Sequence, residues 1–145
     1  MFFIVTISTF VQLFTLYIFI DGKKMQSDST KRMVQIIIDA LQDKKGRNIV
    51  DVDLSVIPDT ICNHMIICTG GSPAQLNALA SSVDDKVRSE LHIHPLAVDG
   101  MHYAHWVAMD YADVMVHIFL EEERDFYDIE HLWADAELAF IPDLD

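Results

Sequence analysis

The sequence predicts one mixed α/β domain, a single mixed sheet with elements in the order α-β-β-α-β-β-β-α. Three observations carry this. Hydrophobic spacing switches repeatedly between a helical period and strand-like alternation or apolar runs. One apolar run is followed by a Gly-Ser turn and an amphipathic helix. The length, 145 residues, is that of one ordinary domain with a real core, and the chain shows no internal repeat, low-complexity tract or long linker.

The first helix follows the capping side chains of Ser27-Asp28-Ser29, with Val34, Ile37, Ile38 and Leu41 on one face. Lys44-Lys45-Gly46 ends it, placing cations near the negative helix end and a glycine suited to a left-handed cap. Ile49 to Leu54 reads as a strand, with Val50, Val52 and Leu54 on one side and Asp51 and Asp53 on the other. That D-x-D could chelate a divalent cation, although such pairs are more often a solvated strand face. After a turn at Pro58-Asp59, Met65 to Thr69 is apolar on both faces, which predicts a central strand.

Gly70-Gly71-Ser72-Pro73 then makes a tight turn with Ser72 as N-cap and Pro73 at the first helical position. The helix runs through Leu76, Leu79, Ala80, Val83, Val87 and Leu91. A helix start after a glycine turn can hold an anion, but neither phosphate-loop fingerprint is present, so a tight connection is the simpler reading. Leu96 to Val98 form a short third strand closed by Asp99-Gly100, and strand-helix-strand implies a right-handed parallel crossover. His92, His94, His102 and His105 bracket it without a recognisable metal-ligand spacing and read as exposed loop histidines.

Trp106 to Asp110 and Asp113 to Leu120 form a hairpin around Asp110-Tyr111-Ala112-Asp113. An indole, a phenol and two carboxylates within eight positions suit recognition better than covalent chemistry. Val114, Val116 and Ile118 share one face, and Met115, His117 and Phe119 the other. Glu121 to Glu123 open a last helix whose stripe is Phe126, Ile129, Trp133, Ala136 and Phe140. Residues 141–145 are a short polar tail.

Ten Lys and Arg against 23 Asp and Glu give a net charge of -13 and a pI near 4.6. Such a surface repels nucleic-acid backbones and anionic membranes; it either speeds encounter with a basic partner such as a ribosomal protein or a histone, or serves only to keep the protein soluble. Cys62 and Cys68, roughly 20 Å apart if their run is a strand, read as buried reduced thiols, which suits a reducing, cytoplasmic location. Residues 1–24 are almost wholly apolar up to Asp21-Gly22-Lys23-Lys24. Three readings fit them: a membrane anchor with its C-terminal side inside, an atypical signal peptide, or a misassigned start with translation beginning at Met25. The last is favoured, and contact with a membrane is expected only if the segment is retained. The domain proper is therefore 25–140.

Taken together, MIICTGGSPAQ, the W-x-x-x-D-Y-x-D hairpin (Trp106, Asp110, Tyr111, Asp113) and HIFLEEERDFYDIEHLW resemble the ribosomal silencing factor, or Iojap-related, family over roughly Ser29 to Asp135. In the last run His117, Phe119, Arg124, Tyr127, Glu130, Leu132 and Trp133 stand where that family's pattern puts them. The resemblance implies a nucleotidyltransferase-like fold without catalysis or cofactor, and a protein that is homodimeric when free. It implies binding to the fourteenth protein of the large ribosomal subunit, which blocks subunit joining and represses translation. Partner binding carries over onto Trp106, Asp110 and Tyr111, and local geometry extends it to Asp113 and Met115. Ala112 departs from the pattern, which often has glycine there; a positive φ would cost the alanine about 1 kcal/mol.

Two other functions compete. A nucleotidyl-transferring enzyme would need paired carboxylates shortly after the Gly-Ser turn, whereas Asp51 and Asp53 precede it and Asp84 lies inside the helix. An oligomeric scaffold would use the hairpin only for self-association.

Overall fold

The computed structural model describes residues 28–144, so the apolar stretch 1–24 lies outside the described residues. The elements are α1 (Asp28–Asp43), β1 (Arg47–Asp53), β2 (His64–Gly70), α2 (Pro73–Leu91), β3 (Ala97–Asp99), β4 (Trp106–Asp110), β5 (Val114–Leu120), α3 (Glu121–Tyr127), a 3-10 turn (Ile129–His131) and β6 (Glu137–Ile141). They build one six-stranded mixed sheet in the order β3-β4-β5-β2-β1-β6. Only β2 and β5 pair in parallel; every other pairing among the described strands is antiparallel.

Both faces of the sheet are covered. On one, α1 and α2 bury Ile37, Leu41, Leu76, Leu79 and Val83 against Ile66, Val107, Val116 and Ile118. On the other, Val52, Leu54, Ile67, Trp106, Met115 and Phe119 lie beneath Tyr127, Ile129, Trp133 and Leu138. All seven residues of β2 are buried, as its apolar run predicts for a central strand. Cys62 and Cys68 are free and buried in different clusters, and burial pushes the Cys68 thiol up to about 12, so it is held protonated.

Helix α1 ends at the predicted place by a different device. Lys45 takes the left-handed conformation (φ 59°), while Gly46 supplies space: a Cβ there would lie 2.5 Å from Cys68 Sγ. Helix α2 starts as expected, with Ser72 Oγ accepting from Gln75 N at 3.1 Å and Pro73 in the first position. Strand β3 runs in the same direction as β2 but is not its neighbour, because β4 and β5 lie between them. It is an edge strand, and Leu96 and Val98 are exposed.

The long last helix is corrected by the structure. Asp128 adopts a left-handed conformation (φ 45°) and ends α3 after two turns, and Glu137–Ile141 return as a sixth strand along β1. Two of the five stripe residues, Phe126 and Phe140, are consequently exposed, while Ile129, Trp133 and Ala136 are partly buried against the sheet. The physical reason is the open edge of β1. Its backbone groups require partners that a helix cannot supply, and ELAFI provides them.

Candidate partner-binding hairpin

Strands β4 and β5 pair in the register Trp106↔Phe119 through Asp110↔Met115. Gly100 fixes where β4 begins: its φ is +91°, and a Cβ on it would fall 1.9 Å from the carbonyl oxygen of Trp106. At the other end the turn is closed by Tyr111 N donating to Val114 O and Asp113 N donating to Tyr111 O, both at 2.9 Å. Ala112 has φ +68°, the left-handed conformation that the sequence raised as a cost. Asp110 offsets part of it, since its Oδ1 accepts from Ala112 N at 2.8 Å. Burial nevertheless raises the Asp110 pKa above the usual carboxylate value.

The turn is also tied to the rest of the fold. Asp113 O accepts from the backbone of Asn63 (2.8 Å) and His64 (3.1 Å), and Thr30 Oγ1 at the start of α1 donates to Asp113 Oδ2 at 3.4 Å.

Of the five residues predicted for partner binding, four are buried. Trp106 is only 3% exposed; its indole stacks on Phe119 with centroids 4.7 Å apart and lies at the same distance from Tyr127. Its Nε1 donates to His117 Nδ1 at 2.9 Å. That bond places the His117 proton on Nε2, and complete burial pushes the ring's pKa down to about 3, so the pair stays neutral. Met115 packs on the same face. Tyr111 points to the opposite face, beside α2, where its hydroxyl is buried without a hydrogen-bond partner among the described residues; burial, with Asp84 nearby, raises its pKa. Asp110 is buried at the end of β4. Asp113 is exposed, together with Ala112.

The surface around the turn includes residues that sequence reading missed. Leu96 is 66% exposed and sits against the turn, its backbone N donating to Asp110 O at 2.7 Å, and the exposed Val98 continues an apolar strip along β3. The signal was the brevity of β3, bounded by Pro95 and Asp99-Gly100, which marks an edge strand rather than a core one.

The other sequence candidates are placed elsewhere. Asp51 Oδ1 accepts from His64 Nδ1 at 2.9 Å, and Asp53 Oδ1 accepts from the backbone and hydroxyl of Ser55. Both lie at the end of β1, opposite the start of β2, whereas Gly70-Gly71-Ser72 follows the far end of that strand. The D-x-D therefore does not face the Gly-Ser turn. His92, His94, His102 and His105 are exposed and gather into no ligand set among the described residues. The group whose ligand atoms do converge is Asp128, Glu130 and His131, in which both Glu130 oxygens already accept from Arg124.

With the hairpin set in this fold, the comparison with known proteins is decisive: the family described as "Ribosomal silencing factor during starvation" matches residues 27–145. The chain belongs to this ribosomal silencing factor family. Ribosomal silencing factor RsfS of Chromobacterium violaceum is 38% identical over 106 residues, covering 73% of this chain and 85% of the relative. RsfS of Bacillus subtilis is 36% identical over 109 residues, covering 75% and 91%. Protein Iojap of the maize chloroplast is 34% identical over 77 residues, 53% of this chain and 33% of that protein. A crystal structure of a C. violaceum protein superposes with a TM-score of 0.68 at 35% identity, covering 81% of this chain and 94% of the other. The silencing factor fold seen here is thus a mixed α/β domain, and among its described residues no helix is long and apolar enough to cross a membrane.

Proposed function

We propose that this silencing factor acts in the cytoplasm by binding the fourteenth protein of the large ribosomal subunit and blocking association with the small subunit, so that translation is repressed. Family membership over 27–145 is the observation that carries the reading. A subunit interface is large and multivalent, so occupying one required patch is enough and no reaction is needed. The contact surface is the hairpin tip: Ala112 and Asp113, with Leu96 and Val98 beside them. Asp113 meets Lys or Arg on the basic partner, giving orientation and on-rate. Trp106, Asp110, Tyr111 and Met115 contribute from beneath, by holding the tip in one shape. The free protein is a homodimer in this account, with the apolar strip of β3 as its natural contact.

The test is co-sedimentation of the full chain with large subunits, followed by a subunit-joining assay. The expected result is stoichiometric binding and inhibited joining; failure of the bound protein to inhibit joining would overturn the mechanism.

A further inference from the structure

The crevice at the carboxyl ends of β2 and β5 takes no part in the function proposed above. These two strands are the parallel neighbours of the sheet, and their continuations leave in opposite directions. Strand β2 leads into α2 on one face; β5 leads into α3, whose following segment covers the other. Such a switch point leaves a crevice outside the strand ends, the position at which open α/β sheets take ligands. Beside it, bounded by the start of α3, the end of β2 and the paired strands β1 and β6, lies a cavity of about 440 Å³.

Its floor is Arg124, buried and fully committed within the protein. The guanidinium donates to Asn48 O (2.6 Å), Thr69 Oγ1 (2.7 Å) and Glu130 Oε2 (2.7 Å). With its charge answered by Glu130, it is not offered to an anion. The walls have the opposite character. Glu121, Asp125 and Asp143 line the opening, and the side chains of Glu121 and Asp125 form no hydrogen bond or ion pair among the described residues. Across from α3 stands Phe140 on β6, 73% exposed although it borders the cavity. An exposed ring beside unanswered carboxylates has the chemistry of a cation receptor. A planar guanidinium matches it better than an ammonium, because it can fork onto carboxylate oxygens while its face lies on a ring.

We propose that this crevice receives an arginine side chain presented by an extended basic segment of a protein partner, its guanidinium held by Glu121 and Asp125 against the ring of Phe140. The net charge of -13 draws such a segment in, and the crevice gives it a seat. The inference stands whether or not the hairpin blocks subunit joining.

The experiment titrates the full-length protein with a blocked tetra-arginine peptide and, separately, a tetra-lysine peptide. Two charge-matched double variants are compared: Glu121→Gln with Asp125→Asn at the crevice, and Asp59→Asn with Glu90→Gln at the other end of the sheet. The crevice pair should weaken tetra-arginine binding about fivefold and the remote pair less than about twofold, with tetra-lysine binding more weakly than tetra-arginine. Phe140→Ala, which changes no charge, should weaken it about threefold. Equal loss from both pairs, or no loss from Phe140→Ala, would mean diffuse attraction and would overturn the proposal, as would absence of binding. Should a variant not fold, amide shifts of the unmodified protein decide: perturbation centred on Asn48, Thr69 and Phe140 supports the crevice, and perturbation spread over the acidic surface refutes it.

Discussion

The two ends of the β4–β5 hairpin are built on opposite principles. At its base, Trp106 is buried on three aromatic neighbours and its one polar atom is satisfied by a histidine that stays neutral. At its tip, an alanine is held at φ +68°, a tyrosine hydroxyl is buried without a hydrogen-bond partner among the described residues, and a carboxylate faces solvent. The base contributes stability, whereas the tip carries local cost. Backbone strain and unpaired polar groups persist where the surrounding structure over-determines them, commonly at surfaces that act on something else. The contrast supports the proposal that recognition lies at the tip, with the base as its support.

The largest expected effect is at the base. Trp106→Ala removes the stacked indole and leaves His117 Nδ1 buried without its donor, so it should cost about 3–5 kcal/mol in urea unfolding. A loss below about 1 kcal/mol would mean that the base does not support the hairpin. The same pair predicts a pH dependence. The His117 pKa is lowered from 6.5 to about 3 on folding, so between those values the unfolded chain binds a proton that the folded one refuses. Its contribution is complete above about 6.5 and declines as pH falls toward 3, and His117→Gln should flatten the difference in urea midpoint between about pH 7.5 and 5.5.

Effects shrink toward the tip and then change sign. Asp110→Ala loses the bond to Ala112 N and should cost about 1–2 kcal/mol, less if release of the buried carboxylate compensates. Ala112→Gly should instead stabilise by about 1 kcal/mol, since glycine accepts the left-handed conformation freely. A destabilised glycine variant would show that the turn is not strained in solution.

Much of this architecture is readable from hydrophobic spacing because it is local. Val34, Ile37, Ile38 and Leu41 declare α1, Ser72 and Pro73 declare the start of α2, and the two faces of β5 match its alternation residue for residue. What spacing cannot show is which partner an element finds. Residues 126–140 carry a helical stripe, yet Asp128 breaks it and β1's open edge recruits Glu137–Ile141 as a strand. The same limit applies to the site. W-x-x-x-D-Y-x-D identifies the hairpin, but the burial of Trp106 depends on Tyr127 and Phe119, the latter 13 positions away in sequence and opposite it across the strands. Exposure of Leu96 likewise follows from β3 being at an edge, a property of the assembled sheet.

The most direct test uses Asp113→Lys. This exposed substitution should leave the urea midpoint within about 0.5 kcal/mol of the parent, because the one side-chain bond of Asp113 among the described residues, to Thr30, is long. Binding to large subunits should fall at least about tenfold in co-sedimentation, with the loss smaller at high salt. Undiminished binding by the folded variant would contradict the claim that the tip of the hairpin is the surface that meets the ribosome.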